Sequence, residues 1–436
     1  MKRKTVLLMG VLLVLCQFAS CNAERSPDET TAPYIETEPT ENDTAASSPE
    51  QTAAEHLALV KSFSQKQEWD GEILLALSEY TGVVLSEESA QMYPALAEIL
   101  EQTHRMASRS MDDEFDNLLS AAKDEISLAE TENFTAKLST LDVQIRRADS
   151  IAVSVLSDYY MIYGQINGRF LHGSTYDTAT GKALLITDVI RDMSEIPAIV
   201  KKELQSYTWT GDFYTETAVE DYFSNTPVDG IAWTLDYNGV TFYFGNGDLA
   251  ELGNGRLAAT VTFAEYPELF EPKYMTVPGD YIVELSLNHP FYADLDSDGA
   301  PEELNVTPFT HESGLLYDSF GVYIDSDAHF AEFPADIFHR TGGYHPYYVQ
   351  TADGRHYLYV FAEGNEKAAG DMRLKVIDVS DSKIKEVGDL SVAPGYIPID
   401  QSQALTDPNN MRLEDFEAMQ EVQVYRVGEG GLPIRK

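Results

Sequence analysis

The amino-acid sequence predicts an α+β protein whose carboxy-terminal part is mainly β. Apolar and polar residues alternate in two runs between residues 143 and 155, which is typical of half-buried strands. Apolar residues recur at helical spacing after Pro94, whereas strand and turn patterns dominate after Tyr281. We therefore expect an antiparallel sheet with packed helices, followed by a β sandwich or blade-like sheets.

The 436-residue chain divides into four predicted parts. Residues 1–20 are predicted to be a lipoprotein signal peptide, and residues 21–55 an acylated cysteine with a disordered tether. Residues 56–276 are predicted to form the α+β domain. Residues 277–436 are predicted to form the β domain, which carries an Asp-x-Asp-x-Asp-Gly loop. Each of the last two parts is long enough to bury a core of its own.

The amino terminus has the organisation of a bacterial lipoprotein precursor. A basic start at residues 2–4 precedes a short apolar run, and Phe18-Ala19-Ser20-Cys21 resembles a lipobox. We expect a palmitate-type lipid on Cys21, which would anchor the protein on the extracytoplasmic side of the cell membrane. The alternative is a plain secretory signal that is cleaved near Ala23.

Composition restricts the partners that the protein can bind. The formal net charge of −42 argues against nucleic-acid binding, which needs a cationic face. It favours cationic partners, such as divalent metal ions or basic proteins, although solubility in an acidic or salty surrounding explains it equally well.

The two cysteines, Cys16 and Cys21, lie at the signal peptide, so neither a disulfide nor a thiolate metal site is expected. Residues 22–55 have few large apolar side chains and form a tether that reaches about 30 Å.

The strongest candidate site is an acidic loop at residues 294–303. Its carboxylates recur at alternate positions around a glycine turn and offer the oxygen ligands that Ca²⁺ prefers. The loop has Asn305 where an EF-hand has its last glutamate, and it resembles the shorter calcium loops of FG-GAP proteins. A solvated acidic turn is the alternative. The predicted ligands of one Ca²⁺ ion are the side chains of Asp294, Asp296, Asp298, Glu302 and Glu303 and the carbonyl of Ala300.

Other chemistry has weaker signals in this sequence. The sequence has no nucleophile-elbow motif, and no free cysteine is expected after processing, since Cys21 would carry the lipid, so we expect no catalytic residues. The run Tyr344-His345-Pro346-Tyr347-Tyr348 is a candidate aromatic face for a glycan, with core packing as the alternative. Five histidines lie close together without helical zinc spacing, so scattered turn residues are expected rather than a metal site; they are His311, His329, His339, His345 and His356.

Four local patterns give predictions about the backbone. Residues 57–63 predict a short helix, and residues 71–85 predict a pair of strands separated at Thr81-Gly82. The dipeptide Asn238-Gly239 predicts a two-residue hairpin turn in which both residues have positive φ. Gly181 is expected to supply a positive φ in the turn that follows Asp177.

The stretch from Val143 to Asp192 also carries a family resemblance. It contains R-x-D-S-x-x-x-S-V, a tyrosine-rich strand, a glycine-containing loop at residues 168–173, and Y-D-T-x-T-G-K followed by D-V. The similarity continues through residues 233–244 and 261–270. This arrangement resembles the extracytoplasmic domain of the RsiV anti-sigma-factor family, which also occurs outside the catalytic part of PdaC-type cell-wall deacetylases. In the loop, bulky residues stand where the family has small ones.

The resemblance implies three functions, of which the first is our expectation. The family's domain binds lysozyme, which implies a non-enzymatic envelope module for a cationic protein such as lysozyme, or for a cell-wall glycan. The deacetylases imply a peptidoglycan-modifying enzyme or an accessory subunit of one. A passive structural lipoprotein is the third alternative. No segment that would hold a sigma factor precedes the signal peptide, so an anti-sigma function is not expected.

Overall fold

The computed structural model confirms an α+β fold with a mainly-β carboxy-terminal part. The signal peptide, Cys21 and most of the tether lie outside the described residues, as do His311 and His339. No helix in the described part combines the length and the apolarity needed to cross a bilayer. The structure describes residues 53–128, 134–163, 166–206, 215–245, 247–249, 257–310, 316–325, 328–338, 343–363, 372–395, 401–415 and 421–436.

A six-stranded sheet is the centre of the amino-terminal half. Its strands are β1 (Leu59–Asp70), β2 (Ile73–Leu85), β3 (Lys137–Ala148), β4 (Ala152–Tyr163), β5 (Ile166–Asp177) and β19 (Gln401–Gln403). They lie in the order β19-β1-β2-β3-β4-β5. Only β2 and β3 are parallel neighbours in this sheet, and a parallel pair needs a long crossover between its strands.

Two helices form that crossover and cover one face of the sheet. They are α1 (Glu87–Met92) and α2 (Pro94–Leu128). The predicted helix start at Pro94 is confirmed, and α2 continues for 35 residues. Leu100 of α2 is buried in one core with Val153 and Val155, which are alternate residues of β4. The period of two along β4 therefore defines the face that α2 covers.

The opposite face of the sheet packs against a small sheet and short helices. These elements are α3 (Ile186–Val189), α4 (Ile196–Ser206), α5 (Ala218–Asn225), β6 (Trp233–Leu235), β7 (Gly239–Phe244) and β8 (Leu257–Thr262). Ala152 of β4 shares a buried core with Val200 of α4 and Phe242 of β7. The six-stranded sheet is therefore covered on both faces.

Three stacked sheets form the carboxy-terminal half. The central sheet contains β9 (Tyr281–Glu284), β14 (Tyr344–Gln350), β15 (His356–Glu363), β16 (Met372–Asp378) and β17 (Lys385–Leu390). One outer sheet contains β10 (Phe291–Ala293), β11 (Glu302–Thr310), β12 (Leu316–Ile324) and β13 (His329–Phe338). The other contains β18 (Val392–Pro394), β20 (Met411–Asp415), β21 (Glu421–Val427) and β22 (Pro433–Arg435). Val360 of β15 packs toward the first outer sheet and Phe361 toward the second, which confirms a sandwich arrangement.

One strand pairing and one buried ion pair connect the two halves. β19 pairs with β1, with Val60 opposite Gln403. Lys61 of β1 donates to both carboxylate oxygens of Glu284 on β9, at 2.8 Å each. The predicted regions 56–276 and 277–436 are therefore in direct contact, and the boundary between them stays a prediction.

Two predictions near the start of the described chain were wrong. Residues 57–63 lie mostly in β1, because the segment pairs with β2 and β19 instead of forming a helix. Residues 73–85 form one strand, in which Gly82 lies opposite Ser62. Gly82 is not a turn residue: a Cβ at this position would lie 2.2 Å from Nδ1 of His104. Close packing against α2, rather than a turn, requires the glycine.

Two turn predictions were also wrong, and one is confirmed. The β6–β7 hairpin exists, but Asp236 donates its amide to the carbonyl of Gly239, so the turn lies one residue earlier than predicted. Neither central residue of the predicted turn has positive φ, and Tyr237, which lies inside the observed turn, is buried. Residues 168–173 are the interior of β5, not a loop. Gly181 has the expected positive φ of 67°.

Candidate functional site

The acidic loop connects β10 to β11, and strand pairing closes its base. Ala293 lies opposite Glu302, which brings Asp294 beside the start of β11. Leu295 is buried and anchors the loop, and its amide donates to Oε2 of Glu302 at 2.6 Å. The loop is therefore attached to the sandwich core by its second residue.

Inside the loop, backbone amides donate hydrogen bonds to side-chain carboxylates instead of to backbone carbonyls. Asp294 accepts from the amide of Asp298 at 3.0 Å and from the amide of Gly299 at 3.1 Å. Oδ1 of Asp296 also accepts from the amide of Asp298, at 3.1 Å. Ser297 and Gly299 have positive φ values of 62° and 93°, which fold the chain back over these side chains.

Three carboxylates converge at the base of this loop. One carboxylate oxygen from each of Asp294, Asp296 and Glu302 lies within 4.8 Å of the other two. Two oxygen ligands on opposite sides of one Ca²⁺ ion are separated by about 4.8 Å, since each lies about 2.4 Å from the ion. The spacing of these three oxygens therefore fits a single hard cation.

The remaining predicted ligands have other surroundings. Asp298 is exposed, and its Oδ1 accepts from the amide of Ala300 at 2.8 Å. The amide of Glu303 donates to Oδ1 of Asp325 at 3.2 Å. Among the acidic residues that the structure describes in this loop, only Asp294, Asp296 and Glu302 form the close group. A ligand role for Asp298, Ala300 and Glu303 stays a prediction.

Electrostatics at the loop base favour a positive ion. Burial raises the pKa of Glu302, and the negative charges of Asp296, Asp325 and Asp294 raise it further, while the amide of Leu295 opposes them. Asp325 follows β12 and was missed in the sequence, because it reaches the loop only through the pairing of β11 with β12. A cation at the loop base would reduce the repulsion among these carboxylates.

The other sequence candidates that the structure describes do not assemble into a site. Tyr344, Tyr347 and Tyr348 are all buried, so of the two alternatives for this run the structure supports core packing and not an exposed aromatic face. The reason is that β14 lies in the central sheet, which is covered on both faces. His329 and His345 are exposed, whereas Nδ1 of the buried His356 lies 2.6 Å from the hydroxyl of Tyr348.

These observations define an α+β protein with stacked β sheets and an acidic loop suited to a cation. Its structure is similar to that of a DUF3298 family member from Bacteroides fragilis, with 10% sequence identity, 50% of this chain and 96% of that chain covered, and a TM-score of 0.35. It is also similar to a DUF3298 family protein from Pseudomonas aeruginosa, with 15% identity, coverage of 50% and 97%, and a TM-score of 0.34. No family model and no curated protein matches the sequence.

Proposed function

We propose that this protein is a non-enzymatic binding module of the bacterial cell envelope that captures a cationic protein, with lysozyme as the first partner to test. In this proposal the module is extracytoplasmic and is anchored through a lipid on Cys21. The resemblance of residues 143–192 to the RsiV-type domain supports it. The observation that carries the proposal is the excess of carboxylates, which gives the chain a net charge of −42.

The distribution of the basic residues supports a cationic partner. Arg146 is buried and forms a two-pronged hydrogen bond with Asp236, at 3.2 and 2.8 Å. Lys61 and Arg147 are likewise buried against Glu284 and Asp149. These cations neutralise internal carboxylates, so they do not offset the acidic surface that a partner meets. A surface of one sign accelerates the approach of an oppositely charged protein.

Calcium has a structural part in the same proposal. An ion held by Asp294, Asp296 and Glu302 would stabilise the connection between β10 and β11. It would act by binding the folded state and not the unfolded chain. The ion supports the module and is not its partner, so the two activities can be measured separately.

The test is a binding titration of residues 22–436 with lysozyme. We expect specific binding to persist in about 0.3 M salt, where the screening length is only about 5–6 Å and long-range attraction is lost. An unrelated acidic protein of equal charge density serves as one control, and an unrelated basic protein replaces lysozyme as the other. Loss of binding in salt, or equal binding of both basic proteins, would contradict the proposal. A pull-down with cell-wall fragments tests the glycan alternative.

A further inference from the structure

A small cavity lies between α2 and the six-stranded sheet. Its volume is about 50 Å³, and its walls come from α2 and from the strands β2, β3, β4 and β5. It is separate from the acidic loop, which lies in the carboxy-terminal half. The cavity is therefore a candidate binding site that is independent of the acidic loop.

Two polar pairs line this cavity. In one pair, the hydroxyl of Tyr80 lies 2.9 Å from Nδ1 of His104. In the other, Ser157 of β4 lies directly opposite His172 of β5. Within the part of the chain that the structure describes, neither Ser157 nor His172 has a side-chain hydrogen-bond partner. These two groups are thus available to a ligand.

The lining carries no formal charge. Among the described residues around the cavity, there is no aspartate, glutamate, lysine or arginine. Burial lowers the pKa of His172, and burial also lowers that of His104, with Glu101 opposing and Arg105 reinforcing the effect. Burial thus favours the neutral form of both imidazoles, in which one ring nitrogen donates and the other accepts. Nδ1 of His104 is already paired with Tyr80. A charged ligand would lose its hydration here without gaining an opposite charge.

Size and shape restrict the ligand further. Leu100, Val143 and Val155 supply an apolar wall beside the polar pairs. One water molecule needs roughly 10–15 Å³ of such space, so the cavity holds about four non-hydrogen atoms. Gly82 keeps this arrangement open, because a Cβ there would lie 2.5 Å from the Tyr80 hydroxyl and closer still to His104.

We propose that this cavity binds a small uncharged amide, of the size of an acetamido group, with its polar atoms toward Ser157 and His172. Its methyl end lies against the aliphatic wall. An amide matches the lining because it carries a donor and an acceptor, as the neutral imidazoles do. The proposal does not depend on calcium or on a cationic partner.

The test uses residues 22–436 and acetamide as the probe, with acetate as the charged molecule of the same shape. The imidazole nitrogen signals are followed by NMR at neutral pH. We expect saturable shifts of the His104 and His172 signals with acetamide, and at least tenfold weaker binding of acetate. The exposed His345 is the internal control, and its signal should not move.

Two variants connect the binding to this cavity. His172→Phe keeps a ring of similar size and removes both nitrogens, so acetamide binding should weaken at least tenfold. Ser157→Ala removes only a hydroxyl and should weaken binding severalfold, which keeps the test decisive if the first variant does not fold. His345→Phe is the matched control and should bind as the unmodified chain does. Equal shifts with acetate, shifts without saturation, or unchanged binding by both cavity variants would overturn the proposal.

Discussion

Lys61 and Glu284 form a buried ion pair between strands that lie in different halves of the chain. The ammonium group lies 2.8 Å from each carboxylate oxygen, and the side chains are only 9% and 8% exposed. Oε2 of Glu284 also accepts from the amide of Ile145, at 3.3 Å. The pair therefore links β1, β3 and β9 at one point.

Removing one partner of this pair should destabilise the protein strongly. Lys61→Met leaves the Glu284 carboxylate buried without its counter-charge, which costs about 3–5 kcal/mol. Lys61→Met combined with Glu284→Leu should regain most of that loss. Urea unfolding measures both changes. Lys123→Ala breaks the exposed pair with Glu68 and serves as the control, with an expected loss below about 1 kcal/mol. A double variant as unstable as Lys61→Met would show that the charge is not the cause.

The same pair predicts a dependence on alkaline pH. Burial lowers the pKa of Lys61, but Glu284 and Asp142 outweigh it, so the folded-state pKa is raised above 10.5. A raised pKa contributes stability that is fully present below 10.5 and is lost as pH rises through the folded-state value. The difference in unfolding free energy between the unmodified chain and Lys61→Met should therefore shrink above that pH. A difference that stays constant would contradict this assignment.

Calcium should raise the melting temperature through the acidic loop. The close approach of Asp294, Asp296 and Glu302 costs about 1 kcal/mol per charge pair even at the dielectric constant of water, and a divalent cation reverses the sign. We expect a larger shift with Ca²⁺ than with Mg²⁺, which retains its water and requires octahedral geometry. Asp296→Asn combined with Asp298→Asn should abolish the shift.

Single variants distinguish the contributions of Asp296 and Asp298 to the calcium-dependent shift of the melting temperature. Asp296→Asn alone should remove most of the shift, whereas Asp298→Asn alone should remove less, because Asp298 lies outside the close group. Asp353→Asn alters an exposed Asp-Gly turn and should leave the shift unchanged. If calorimetry detects no calcium-dependent shift in the unmodified protein, the loop is only an acidic turn.

Gly181→Ala should cost about 2–4 kcal/mol of stability. Gly181 has a φ of 67°, and an added Cβ would lie 2.8 Å from the backbone of Ala95 in α2. Gly354→Ala is the matched control: its φ is 74°, but nothing lies within 4 Å of the added Cβ. That control should show only the backbone strain, about 1–2 kcal/mol. Equal losses in urea unfolding would show that contact with α2 contributes nothing.

Cys21→Ala tests the anchor. If Cys21 carries the lipid, this variant should appear in the medium or remain unprocessed, because the residue that receives the lipid is missing. Cell fractionation with an antibody measures the distribution. Cys16→Ala is the control, since it lies inside the predicted signal peptide and should leave the membrane fraction unchanged. An unchanged membrane fraction for Cys21→Ala would refute lipidation.

The sequence correctly predicted those helices and strands whose conformation depends mainly on the pattern of their own residues. The helix after Pro94 and the strands after Tyr281 follow from the spacing of apolar residues, and the structure confirms both. The assignment of residues 57–63 failed because pairing with β2 and the distant β19 decides their conformation. That of residues 168–173 failed because they pair with the preceding strand β4. Close packing against His104 of α2 explains why position 82 is a glycine, although the sequence pattern suggested a turn.

The same distinction holds for the candidate sites. The spacing of Asp294 and Asp296 is local, so the acidic loop could be predicted from the sequence. Asp325 joins it only through strand pairing. The cavity could not be predicted, since His104 and His172 lie on different elements and line one cavity only when α2 packs on the six-stranded sheet.

The pairing of β19 with β1 also sets an order of events during synthesis. The hydroxyl of Thr406 donates to the carbonyl of Leu57, which lies 349 residues earlier in the chain. A polypeptide that is synthesised amino terminus first must therefore leave the edge of β1 open until β19 has been made. During that interval the exposed edge can pair with a neighbouring chain. β19 covers only residues 60–62 of that edge, and the charged residues Lys66, Glu68 and Asp70 farther along β1 discourage such pairing.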